Sequence, residues 1–220
     1  MALITNLVSY YKLDSNSNDS VWSNNWTDTS ISYVTWKISN AASFNGSSSR
    51  IVWLAKPSTG SGSFSINLWI KVTTLWSIMS LATYGTNATN KNVFLYIDAS
   101  SKVNANFYWG WWSVISSTTL STGTWYMITL TYDGTNLRLY VNSSLESTWS
   151  NLTASIWSTY SYIWVDYTNT TFFYNWLEDE LWYWSRTLTL AESQQLYNSG
   201  TWLAYPFVTA NNSSPFLAFM

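Results

Sequence analysis

The chain has 220 residues and a formal net charge of −2, with only 9% of its residues charged, so no basic field is present to gather nucleic acid or anionic lipid. It contains no histidine and no cysteine. That removes disulfides, thiolate metal sites, cysteine nucleophiles and any Ser-His-Asp triad, and leaves chemistry to carboxylates, hydroxyls or a hard metal.

The start, MALITNLVSYYKLD, lacks the basic leader, apolar run and small-residue cleavage site of a secretory signal, so none is expected. No window reaches the apolar length of a membrane helix. Short alternating runs between Ser, Thr, Asn, Asp and Gly clusters predict one all-β domain, an antiparallel two-sheet jelly-roll sandwich. In chain order the expected strands begin with Leu7–Leu13, Ala42–Phe44, Arg50–Trp53, Ser63–Val72, Ile78–Thr83 and Val93–Ile97. Val103–Trp109, Trp125–Tyr132, Leu137–Asn142, Ser161–Val165 and Leu177–Ser185 follow. SFSINLWIKV places Phe64, Ile66, Leu68 and Ile70 on one face. TWYMITLTYDGTNLRLYVN reads as a hairpin turning at Asp133-Gly134, with Met127, Thr129 and Thr131 opposite Tyr126, Ile128 and Leu130.

One short C-terminal helix is signalled by TLTLAESQQLYNSG. Thr189 is its N-cap, Glu192 completes a capping box, and Gly200 stands beyond its end as the C′ residue. Leu190, Leu196 and Tyr197 form its expected apolar stripe. The domain is expected to span 1–208, with 209–220 a polar linker and apolar tail.

The segments LVSYYKLDSNSNDSV, AASFNGSSSRI, FSINLWIK, GTWYMITLTYDGTNLRLYVN and NWLEDELWYWSRTLTLAESQQLYNSG, in this order, resemble a laminin G-like domain of the concanavalin A-like lectin/glucanase superfamily. The resemblance covers about residues 5–207. It implies two packed antiparallel sheets with first and last strands adjacent, and a role in binding carbohydrate or protein at a surface. The compact start is similar to freestanding copies of this domain in phage structural proteins such as tail fibres.

Retaining glucanases in that superfamily set two carboxylates about 5–5.5 Å apart. The nearest candidate here is LEDEL, where strand alternation puts Glu178 and Glu180 on one face and Asp179 on the other. A third alternating carboxylate is missing, and in non-catalytic members an Asp-Glu here is a scaffold feature. The scaffold reading has Asp179 or Glu180 pairing with Arg186, and Asp133 with Gly134 serving their turn. Calcium is the metal such a chain could hold, its loop acids being Asp14, Asp19, Asp28, Asp98, Asp133 and Asp166, but no diagnostic spacing marks a site. The Asn-x-Ser/Thr sequons at Asn45, Asn87, Asn142, Asn151 and Asn169 carry little in so Asn-rich a chain.

Tryptophan outnumbers glycine 17 to 8, whereas glycine alone is ordinarily about 7% of residues. Trp22, Trp26, Trp36, Trp149, Trp164, Trp176 and Trp202 stand where the family tends to have glycine, while Trp69, Trp125 and Trp184 stand at family aromatics. One reading is that the gene uses UGA for glycine and has been translated as if UGA meant tryptophan. Indoles in polar loops would then be false, and at face value they would create exposed apolar surface and positive-φ strain. The other reading takes them as sugar-stacking groups, with Trp109, Trp111 and Trp112 of FYWGWW, and Tyr84, as the candidate binding residues.

The expected function is a non-catalytic carbohydrate- or surface-binding module, extracellular or virion-associated and acting in repeated copies. Its expected partners are a glycan or a surface protein, with no nucleic acid and no membrane insertion. The alternatives are an assembly module of a phage particle or surface structure, and a glucanase using Glu178 and Glu180.

Overall fold

A strand that buries one face must place it against a second layer. The computed structural model shows two antiparallel sheets doing so, and it describes residues 3–36, 39–53, 61–75, 77–85, 88, 90–107, 113–156, 161–163, 175–203 and 205. The strands are β1 (Leu7–Tyr11), β2 (Thr27–Thr29), β3 (Ser32–Thr35), β4 (Asn40–Asn45), β5 (Arg50–Trp53), β6 (Phe64–Val72), β7 (Met79–Gly85) and β8 (Asn92–Ile97). They continue as β9 (Lys102–Phe107), β10 (Val114–Thr119), β11 (Trp125–Tyr132), β12 (Leu137–Val141), β13 (Ser144–Trp149), β14 (Ser161–Ile163) and β15 (Asn175–Trp184). One helix follows, α1 (Leu190–Tyr197).

The first sheet runs β13-β12-β11-β6-β15-β4-β3, and β1 pairs with β15 beyond the end of β4, so the first and last strands are neighbours. The second runs β10-β9-β8-β7-β14-β5-β2. Between them lie Phe64, Ile66, Leu68 and Ile70 from β6 and Tyr126, Ile128 and Leu130 from β11. Every residue of β6 except Lys71 is buried, because its other face is covered as well. Trp69 and Met127 on that outer face pack with Tyr10, Leu196 and Trp202 under the helix.

Several elements differ from the sequence reading. β2, β3, β10 and β13 are additional strands, short and rich in hydroxyl residues, whose polar composition resembles that of loops. β1 stops at Tyr11 because Leu13 takes a left-handed φ of 59°. The last residues of the expected strands reaching Trp109 and Val165 lie outside the described residues.

At the β11–β12 turn, Asp133 Oδ1 accepts from the backbone N–H of Thr135 (3.0 Å) and Asn136 (2.7 Å), and Gly134 takes φ 102°, where a Cβ would be strained. Arg138 Nη1 lies 2.6 Å from Asp133 Oδ2. Desolvation works against the Asp133 carboxylate, but Arg138 and the turn amides hold its pKa well below the usual range.

Thr189 caps α1, accepting from the Glu192 N–H at 3.2 Å while Glu192 Oε2 accepts from the Thr189 N–H at 2.9 Å. Thr189→Ala is expected to lower stability by about 1 kcal/mol, read as a lower urea midpoint at unchanged slope. The residue that ends the helix is Asn198, at φ 45°, and Gly200 follows two residues later at φ 79°. Leu196 is buried and Tyr197 stacks on Trp69 with centroids 5.7 Å apart, but Leu190 is 46% exposed and leaves the expected stripe.

Arg186 pairs with neither Asp179 nor Glu180. Its Nη1 and Nη2 each lie 2.8 Å from a Glu192 oxygen, a two-point clamp beneath the helix N-terminus. Sequence order favoured the strand acids as partners, but the turn after β15 carries the guanidinium to the helix, where its Nε donates to the Thr5 carbonyl at 2.8 Å. Burial alone would raise the Glu192 pKa, yet Arg186 and Thr189 hold it below the ordinary value.

The expected exposure of the turn-region indoles is corrected at most positions. Trp22 is 65% exposed, but Trp26 and Trp176 are buried and Trp36 is half-buried against Trp125. Trp26 begins the approach to β2, not a tight hairpin, and its ring lies 4.1 Å from that of Tyr11. Among the described tryptophans, Trp202 alone has a left-handed backbone, φ 68°. Trp164 lies outside the described residues.

Candidate functional site

The outer face of the first sheet carries the helix and its aromatic layer. The outer face of the second is built from the residues of β7, β8 and β9 that alternate away from the core. In β8, Val93, Leu95 and Ile97 point inward, which turns Asn92, Phe94 and Tyr96 outward. The Phe94 and Tyr96 rings stack, with centroids 4.4 Å apart and planes 15° apart, and both side chains are half-buried.

Register places Thr83 and Asn106 on either side of Phe94, and Ser80 and Asn104 on either side of Tyr96. The Ser80 and Thr83 hydroxyls lie 3.2 Å apart. Asn104 Nδ2 donates to Asp98 Oδ2 at 2.8 Å, fixing that amide at one end of the face. Toward the other end, Asn106 Oδ1 and both amide atoms of Asn92 are buried without a hydrogen bond among the described residues. Beyond Asn104, Ile115 of β10 is 44% exposed. Ser80, Thr83, Asn92 and Asn104 are buried, so the part of this face that reaches the surface is the half-buried aromatic pair with the half-buried Asn106 beside it and Ile115 beyond, able to meet an apolar ring face.

The sequence candidates fall elsewhere. Trp109, Trp111 and Trp112 lie outside the described residues. Tyr84 is no surface group: it is 1% exposed, faces the core, and meets Phe64 edge-on at 5.5 Å. A bulge between Ser80 and Ala82 shifts the alternation of β7, so counting from the strand start does not reveal its direction. Phe94 and Tyr96 were legible in NVFLYI as two aromatics out of phase with three aliphatic core positions, a signal the sequence reading passed over.

The LEDEL carboxylates do not share a face. Glu178 sits beside Ile70 and Ala42 and points between the sheets, whereas Glu180 accepts from the Tyr10 hydroxyl at 2.5 Å in the outer aromatic layer. Glu180 has φ 53°, and the register slips between Asp179 and Trp182. This bulge breaks the alternation on which a retaining pair depends. Desolvation, followed by the neighbouring charges, raises all three acids: Glu178 well above its ordinary value, Asp179 to about 10 and Glu180 to about 8.

The loop acids are individually engaged. Asp19 accepts from the N–H groups of Tyr10 and Val21, Asp28 from Ser17 and Tyr33, and Asp98 from the N–H groups of Ser100 and Lys102. Among the described residues, no group of three or more acidic side chains comes together in a form that could hold a metal ion. Asp166 lies outside the described residues. Among those residues, no helix is long and apolar enough to cross a membrane.

A sequence model of the concanavalin A-like lectin/glucanases superfamily, of laminin G type, matches residues 45–192, and the chain belongs to that superfamily. No curated protein matches it by sequence. Similar solved structures include the binding domain of Paraclostridial Mosquitocidal Protein 1, at 19% identity and TM-score 0.73, over 89% of this chain and 52% of that one. Domain 4 of AbnA, an extracellular arabinanase from Geobacillus stearothermophilus solved with arabinotriose, matches at 19% identity and TM-score 0.68, over 86% of this chain and 96% of that one. The binding domain of botulinum neurotoxin serotype G matches at 16% identity and TM-score 0.70, over 89% and 51%. The chain thus spans about half of each toxin binding domain and nearly all of the arabinanase domain. At these identities the likeness shows the fold.

Proposed function

We propose that the protein is a non-catalytic carbohydrate-binding module that presents the outer face of its second sheet to glycan. The carrying observation is the half-buried Phe94–Tyr96 stack, with the half-buried Asn106 beside Phe94. Aromatic surface takes the apolar face of a sugar ring, and the partly exposed Asn106 is the neighbouring amide within reach of its hydroxyls. Two further facts support the reading: the similar arabinanase domain was solved with arabinotriose, and Glu178 and Glu180 are turned to different sides of their sheet. The module acts outside the cell or on a virion, where repeated copies raise a weak single-site affinity.

The test is calorimetric titration with arabinotriose and a panel of neutral oligosaccharides. Phe94→Ala and Tyr96→Ala are each expected to weaken binding at least about tenfold, roughly 1.4 kcal/mol, without lowering the thermal midpoint as a core substitution would. Unchanged affinity in both variants would overturn the assignment of this face. Incorporation into a particle without binding of any glycan would make the protein an assembly module.

A further inference from the structure

The segment between β1 and β2 shapes a second feature, an open bowl of about 220 Å³ lined by the exposed Lys12, Ser15, Asn16, Asn18 and Ser20, the half-buried Asp14 and the buried Asp19. That volume equals about seven waters at roughly 30 Å³ each, the scale of one sugar ring rather than of an extended chain.

The backbone around the bowl is tied down. Asp19 Oδ1 accepts from the Tyr10 and Val21 N–H groups at 3.1 and 3.0 Å, and its Oδ2 accepts from Asn24 Nδ2 at 3.1 Å. Asn40 donates its N–H to Asp14 Oδ1 at 3.0 Å and its Nδ2 to the Asp14 carbonyl at 2.8 Å. Leu13, wholly buried at φ 59°, anchors the turn between Lys12 and Asp14.

What these bonds leave over is a mixed, solvent-facing set. The Lys12 ammonium, the Asn18 amide, the Ser20 hydroxyl and Asp14 Oδ2 make no hydrogen bond among the described residues. A simple cation entering the bowl meets Lys12, and a simple anion meets Asp14 and Asp19. A hydroxyl, which donates and accepts at once, can use both kinds of group. The lining offers no aromatic wall on which a chain of rings could stack.

We propose that this bowl is a separate pocket for one terminal, uncharged monosaccharide, gripped by its hydroxyls between Asp14, Lys12 and Asn18. The proposal rests on the glycan-binding reading but uses a different part of the molecule. The experiment is amide chemical-shift mapping of the ¹⁵N-labelled protein with free arabinose, galactose and glucose, and with arabinotriose. At least one monosaccharide should move the amides of residues 14–20, with affinity at least about fivefold weaker in the Asn18→Ala/Ser20→Ala double variant. Arabinotriose moving Phe94 and Tyr96 while residues 14–20 stay silent to every sugar would overturn the pocket and leave the sheet face standing. Silence at both places would remove both. If calcium chloride alone moves residues 14–20 and the sugars do not, the bowl is a cation site and the proposal fails.

Discussion

Urea denaturation is expected to show the protein more stable at pH 5 than at pH 8, the opposite of ordinary acid lability. The cause is the run Glu178, Asp179 and Glu180, residues that are 0%, 1% and 4% exposed. Glu178 offers both oxygens, and Asp179 its Oδ2, to no hydrogen-bond donor among the described residues. Burial first, and then mutual repulsion with Asp14 added, disfavours the ionised forms, so the folded-state values lie above the unfolded ones. The native state therefore binds more protons, and stability must fall with rising pH.

The sign and window follow from those values. Below the unfolded values near 4 both states are protonated and the stabilising difference is complete. It is lost as pH rises from there through about 8 for Glu180 and about 10 for Asp179. Each unit of separation is worth roughly 1.4 kcal/mol, so Glu180 alone accounts for a loss on the order of several kcal/mol. Asp133 and Glu192 act oppositely, since their values are lowered and their contribution disappears only as pH falls through the acidic range. Maximum stability should thus lie near pH 4–5. Glu178→Gln with Asp179→Asn should raise the midpoint at pH 8 and flatten the profile. A wild-type midpoint that is level or rising between pH 5 and pH 8 would show that these acids ionise freely in the folded protein.

This strand also marks where sequence reading stops. The pattern of β6 and the Asp133-Gly134 turn were legible because each obeys a local rule: alternation against a buried face, and an Asp-Gly pair where the backbone needs positive φ. The Thr189–Glu192 box was legible for the same reason. The bulge at Glu180 was not, because its left-handed residue is a glutamate and nothing in LEDEL marks the slip. One unmarked bulge there separates the two glutamates, and another in β7 sends Tyr84 into the core. The outward pair Phe94 and Tyr96 obeyed the simple alternation but was outweighed by the more conspicuous tryptophans.

Those tryptophans set the second large expectation. Tandem mass spectrometry of the protein made by its own cells should find glycine at 22, 26, 36, 176 and 202, and tryptophan at 69, 125 and 184. The ratio of 17 tryptophans to 8 glycines in a turn-rich β fold is one ground for this. Trp202 is the other, because its φ of 68° asks a bulky residue to bear roughly 1–3 kcal/mol of strain that glycine avoids. Packing pulls the other way: Trp176 is fully buried between the sheets, and Trp202 stacks on Trp69 at 4.5 Å. Removing a buried indole ordinarily costs about 3–5 kcal/mol, so a chain with glycine at 176 must close that space with its neighbours. Tryptophan at all of these positions would end the recoding idea and make the indoles genuine core. Neither the stacked pair on β8 nor the bowl after β1 contains a tryptophan, so both proposed sites stand to be tested whichever residue the cell inserts.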